Sequence, residues 1–209
     1  MKELEAYLAA LKDQGAVVAG LVNDGASDEE VAKLEQVPGC TFPADVVAMF
    51  RVMNGLARTE DTTYDQLWVD GTFAWFSIDE AIADYQTTEE LRANDKPEGF
   101  DVYWPTGFFP IGTPGDGSRL LVNCRNGSPT YGAVYELFHG DGLSRHANSL
   151  TAYVQTVATA LAQRVITVDD DGCLEPDEDA YNRTGRQLNP GCDATDDSLP
   201  SASVAKDWL

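Results

Sequence analysis

Apolar residues recur at three- and four-residue spacing from the start of the chain. Leu4, Tyr7, Leu8 and Leu11 predict an amphipathic helix that ends near Gly15. Ser27-Asp28-Glu29-Glu30 then forms a capping box: the serine hydroxyl accepts the Glu30 N–H, and the Glu30 carboxylate reaches back to the serine N–H. Val31 and Leu34 supply the apolar face of that second helix, and Pro38-Gly39 ends it. A third helix is predicted from Pro43, which suits a first turn because it has no N–H to lose. It turns Val46, Val47, Met49, Phe50 and Met53 inward and stops at Asn54-Gly55.

Beyond Gly55 the pattern shifts to short apolar runs between turn residues. Thr72 to Phe76 reads as a strand, and a second capping box, Ser77-Ile78-Asp79-Glu80, opens a short helix with Ala81, Ile82 and Tyr85. Residues 86–99 are polar and read as a loop. Strand-like runs follow at 102–104, 107–111, 119–124 and 132–138, each bounded by Gly, Pro, Asn or Asp in the manner of an antiparallel meander. A long helix is predicted from Ser149, with Leu150, Tyr153, Val154, Val157 and Leu161 as its buried stripe. The remainder predicts a small hairpin around Asp171-Gly172 and then a loosely held tail. Helices, then strands, then a helix give an α+β class: a single antiparallel meander sheet with N-terminal and C-terminal helices packed on it.

Composition adds one strong constraint. The 209 residues carry 14 Lys+Arg against 35 Asp+Glu, a formal net charge of −21. Such a chain repels phosphate backbones and anionic lipid heads, so direct nucleic-acid or membrane binding is not expected, and a basic partner is. No stretch approaches the ~20 apolar residues of a membrane span. The N-terminal segment carries acids within its apolar pattern and lacks the apolar core of a secretory signal. The expected location is cytoplasmic. There, Cys173 and Cys192, which could bridge the tail in an oxidising place, are expected to be reduced.

Candidate chemistry narrows the picture further. Gly112, four residues, then Gly117-Ser118 imitate phosphate-loop spacing, but the lysine of that loop is absent and a strand pattern follows where a helix should open. Asp116 would also set a carboxylate where phosphates need N–H groups; Asp116-Gly117 reads as a hairpin turn. No G-x-S-x-G is present, and His139 and His146 flank the turn 140–142 as solvated surface residues. Residues 167–178 resemble a calcium loop, but Thr167 stands at its first position and Pro176 interrupts the exit helix, so a strand and an Asp-Gly turn fit better. With no CxxC and two histidines, no zinc site is expected. No cofactor, metal or catalytic residue is assigned. Of the aromatic residues in the strand region most should be core, and a few could be exposed anchors. Trp75, Trp104, Asp116 and Asp141 are the candidate partner-binding residues.

In chain order these stretches resemble the SUKH superfamily, which joins a fungal cell-wall-synthesis regulator family to bacterial immunity proteins. Ser27 to Glu35 is similar to its first capped helix, and Phe42-Pro43-Ala44-Asp45 through Met53-Asn54-Gly55 to its "LP-x-D … NG" helix. Trp104, Phe109 to Gly112 and Gly115-Asp116-Gly117 resemble its "W … PIG … GDG" element. Tyr131 to Tyr135 and Ser149 to Val154 resemble its closing strand and helix. Two departures stand out: Ser118-Arg119 where a further acid is common, and Met53 where histidine is. The resemblance covers about residues 20–163, within a domain expected at 1–168 and followed by an acidic extension at 169–209. It implies a binding role rather than catalysis, with an immunity protein that blocks a basic toxin domain, such as a nuclease, as one reading. A scaffold or regulator of the cell-wall type is the other.

Overall fold

The computed structural model describes residues 1–94, 106–138 and 142–192. Six helices are described, beginning with α1 (Lys2–Asp13), α2 (Asp28–Leu34) and α3 (Ala44–Phe50). They start where local chemistry favours a start. Ser27 and Glu30 form the reciprocal box at α2, with Ser27 N–H donating to Glu30 Oε2 at 2.7 Å and Glu30 N–H to Ser27 Oγ at 3.2 Å. Pro43 occupies the N-cap of α3.

The second capping box opens α4 (Ile78–Asn94), with Ser77 N–H donating to Glu80 Oε2 at 2.8 Å. This helix runs to Asn94, past the short helix expected from the sequence and into the residues expected as a polar loop. After Tyr85 its described side chains are largely solvated, with Thr88 the buried one among them, so apolar periodicity fades while the backbone ladder continues. The predicted strand at 102–104 lies outside the described residues.

Strands β1 (Ala74–Trp75), β2 (Phe108–Thr113), β3 (Arg119–Asn123), β4 (Val134–Phe138) and β5 (Gly142–Ala147) form one antiparallel sheet in the order β1-β2-β3-β4-β5. This is the expected meander. Its fifth strand was not legible, because Gly142-Leu-Ser-Arg-His-Ala carries few apolar residues; pairing with β4 makes it a strand. Helix α5 (Leu150–Ala162) opens at Ser149, whose Oγ accepts the Ala152 N–H at 3.1 Å.

One face of the sheet is the core. Phe109, Ile111, Leu120, Val122 and Val134 meet Leu4, Tyr7 and Leu11 of α1, Val46, Met49 and Phe50 of α3, and the buried stripe of α5. A smaller cluster on the other face joins Phe108, Leu121, Tyr135 and Leu137. Arg119 fastens α4 to the sheet through a bidentate pair with Asp84, Nε–Oδ2 and Nη2–Oδ1 both at 2.8 Å.

Residues 166–192 differ from a loose tail. The expected hairpin is present as β6 (Ile166–Val168) and β7 (Leu174–Pro176), and Ile166 and Leu174 join the core. Helix α6 (Glu178–Leu188) follows, capped by Asp177, and packs on α5. Among the described residues no helix is long and apolar enough to cross a membrane.

Candidate functional site

The Gly115-Asp116-Gly117 stretch forms the turn between β2 and β3. Gly115 and Gly117 have φ of 105° and 102°, a region in which side chains are strained. Asp116 Oδ1 accepts the Ser118 N–H at 2.8 Å, and Thr113 Oγ1 accepts the Gly115 N–H at 3.0 Å. These bonds make a stiff hairpin turn that feeds a strand. No helix opens after it, so the resemblance to a phosphate loop ends at the glycine spacing.

Tyr64 lies directly against this turn: a Cβ on Gly115 would come within 2.7 Å of the tyrosine ring. Tyr64 is 45% exposed, and the Arg58 guanidinium stands over its ring at 5.6 Å from the centroid. Glu60, Asp61 and Asp65 are exposed in the same loop, and Asp116 is exposed in the adjoining turn. The result is an aromatic side chain among carboxylates at one end of the sheet. Of the candidate partner-binding residues, Asp116 is the one placed in this patch.

Trp75 is not a surface anchor. It is 1% exposed, and its indole N–H donates to Asp70 Oδ2 at 2.8 Å, so the ring is part of the core. Trp104, Asp141 and His139 lie outside the described residues.

His146 is also not a solvated surface residue. Its Nε2 lies 3.1 Å from Glu136 Oε2, with the two side chains 11% and 7% exposed. Burial, and next the negative charge of Asp70, push the Glu136 carboxyl up to about 8, while burial lowers His146 to about 4. At neutral pH the contact is therefore a hydrogen bond between a protonated carboxyl and a neutral imidazole rather than an ion pair.

Asp70 is the hub beside this pair. Its Oδ1 accepts the N–H groups of Thr72 at 3.0 Å and Phe73 at 2.7 Å; its Oδ2 accepts the Trp75 indole and the Tyr153 hydroxyl at 3.2 Å. Burial raises its carboxyl pKa against the lowering effect of those four donors. Glu136 and Tyr181 of α6 lie close enough to Tyr153 to affect its ionisation. His146, Tyr153, Tyr181, Arg186 and Cys192 line a shallow depression over the network. The network binds α5 and α6 to β4 and β5, and its buried groups are committed to one another.

The sequence held one signal for it. Glu136 occupies an inward-facing position between Val134 and Phe138 in an otherwise apolar strand. Asp70, by contrast, stands in a turn-like Val-Asp-Gly and looks like any other acid of this chain.

The turn within residues 167–178 is closed by bonds to its own backbone. Asp169 Oδ1 accepts the N–H groups of Asp171 at 2.9 Å and Cys173 at 2.7 Å, which caps the hairpin turn. Among the described residues no group of three or more His, Cys, Asp or Glu side chains is arranged to hold a metal ion. Cys173 and Cys192 are free thiols at separate places, the first beside Asp65 and the second beside Asn148.

A family model described as the SMI1 / KNR4 family (SUKH-1) matches residues 25–156, more than half of the chain. No curated protein matches it. The matched segment contains α2 through the first half of α5; α1, the β6–β7 hairpin and α6 lie outside it.

Proposed function

We propose, from the premise that this chain belongs to the SMI1 / KNR4 family (SUKH-1), that it is a non-enzymatic protein-binding module acting in the cytoplasm. Its role is that of an immunity protein: it binds and blocks a basic toxin domain such as a nuclease. The observation that carries this reading is a net charge of −21 on a chain whose family interacts with other proteins. A nuclease exposes a basic, phosphate-accepting cleft, and an acidic surface engages such a cleft quickly and selectively. The patch formed by Tyr64, Glu60, Asp61 and Asp116 has suitable chemistry, since tyrosine is enriched among the residues that dominate binding.

The test is affinity capture of the full chain from its native cell, followed by binding measurements on the recovered partner. A basic effector whose toxicity the chain suppresses supports the proposal. Recovery of signalling or envelope-synthesis proteins instead would favour a scaffold or regulator of the cell-wall type. With the effector in hand, Tyr64→Ala combined with Asp116→Asn is expected to weaken binding by roughly 10- to 100-fold. Asparagine retains an acceptor for the Ser118 N–H and removes only the charge. Tyr131→Ala, in the turn at the opposite end of the sheet, is expected to leave the affinity unchanged. Equal affinities for all three proteins would place the contact elsewhere.

A further inference from the structure

Two of the four cysteines, Cys40 and Cys124, lie on segments paired through their backbones. Cys40 follows α2 just past Pro38-Gly39, and Cys124 follows β3. The Thr41 N–H donates to the Cys124 carbonyl at 2.7 Å, and the Cys124 N–H donates to the Gly107 carbonyl at 2.8 Å. Little slack exists at this junction. Gly107 has φ of 83°, and a Cβ there would lie 2.9 Å from the Gly39 carbonyl oxygen. The Tyr85 hydroxyl locks the same place from α4, donating to the Pro38 carbonyl at 2.9 Å and accepting the Gly107 N–H at 3.1 Å. Within this frame Cys124 is fully buried and Cys40, one residue before its backbone partner Thr41, is partly exposed.

We propose that Cys40 and Cys124 form a peroxide-sensitive dithiol, with Cys40 as the attacking sulfur and Cys124 as the resolving one. The Cys40 thiolate attacks one oxygen of hydrogen peroxide, the O–O bond breaks, and a sulfenic acid forms as hydroxide leaves and is protonated to water. The Cys124 sulfur, losing its proton, then attacks the sulfenic sulfur; an S–S bond forms and a second water departs. The two sulfurs together give two electrons to the peroxide, and two thiols plus one peroxide become one disulfide and two waters. The product joins the α2–α3 connection to the end of β3, two segments already paired through their backbones.

The surroundings assign the order of attack. Cys40 is partly exposed while Cys124 is fully buried, and the neighbouring Cys124 holds the Cys40 thiol below its ordinary value. Burial pushes Cys124 well above that value. Burial also raises Cys192, and raises Cys173 to about 11 with help from Asp65. Peroxide reacts with thiolate, so Cys40 is the preferred entry point of the four.

The experiment treats the reduced full chain with hydrogen peroxide alongside free glutathione, alkylates it in denaturant, and maps non-reduced peptides by mass spectrometry. The expected result is a Cys40–Cys124 linked peptide, an intact mass before alkylation lower by ~2 Da for the two hydrogens lost, and full reversal by dithiothreitol. Cys124→Ser is expected to leave Cys40 as a sulfenic acid trapped by dimedone, and Cys40→Ser to leave Cys124 reduced at the same dose. If a variant fails to fold, the map of the unsubstituted chain decides. Both thiols alkylated while glutathione in the same tube is oxidised, or a disulfide that includes Cys173 or Cys192 in place of this pair, would overturn the proposal.

Discussion

Replacing Asp70 by alanine is expected to destabilise the fold by about 3–5 kcal/mol, measured as the shift in urea unfolding free energy at neutral pH. The carboxylate accepts four hydrogen bonds at a site that is 3% exposed. Two of the donors are the backbone N–H groups of Thr72 and Phe73, which set the turn entering β1; the others are the Trp75 indole and the Tyr153 hydroxyl. Alanine strands all four, and each buried donor without a partner costs about 1–3 kcal/mol before relaxation or an entering water recovers part of it. Asp70→Asn should cost about half as much, because one oxygen still accepts while the amide NH2 faces two donors. A loss below about 1 kcal/mol for the alanine variant would show that the turn is held by its glycine and packing alone.

The Glu136–His146 pair predicts an unusual pH dependence. The folded protein holds the Glu136 proton to about 8, far above the ordinary carboxyl value, so this group's stabilisation is complete at low pH and is lost as pH rises through about 8. His146 runs the other way: its folded value is lowered to about 4, so its contribution is present above the ordinary imidazole value and lost as pH falls through about 4. Between the two limits the effects oppose each other, and the fold should be most tolerant near weakly acidic pH. Glu136→Gln keeps the shape and cannot ionise. Its unfolding free energy relative to the unsubstituted chain should therefore rise by on the order of 3–5 kcal/mol from pH 5 to pH 9. The charged groups and hydroxyls facing Glu136 are Asp70, Tyr153, Tyr181 and His146. A difference that stays flat across this range would mean that Glu136 is already ionised in the folded protein at neutral pH.

Both predictions concern a network that sequence patterning did not assemble, and the reason is distance along the chain. Helix starts are written locally: Ser27 with Glu30, Ser77 with Glu80, and Ser149 each announce a helix within four residues, and all three caps are present. The meander was legible for the same reason, since the turns at 114–118 and 128–133 lie between their own strands. The Asp70 network is not local. Tyr153 lies 83 positions from its acceptor, and neither residue type is rare in this chain. The far end of α4, β5 and α6 escaped a second way, because each is polar on much of its surface and is defined by what it packs or pairs against. Trp75 shows the opposite error: a large ring with a polar N–H suits an interface equally well, and only the fold reveals that its partner is an internal carboxylate.

The role assigned to the acidic surface is tested most directly by the association rate between the full chain and its captured effector as salt is varied. If a carboxylate-rich face meets a basic cleft, the rate should fall at least ~10-fold between about 50 and 500 mM salt, with a smaller change in dissociation. An association rate that does not change with salt, or a captured partner with no basic surface, would contradict the account.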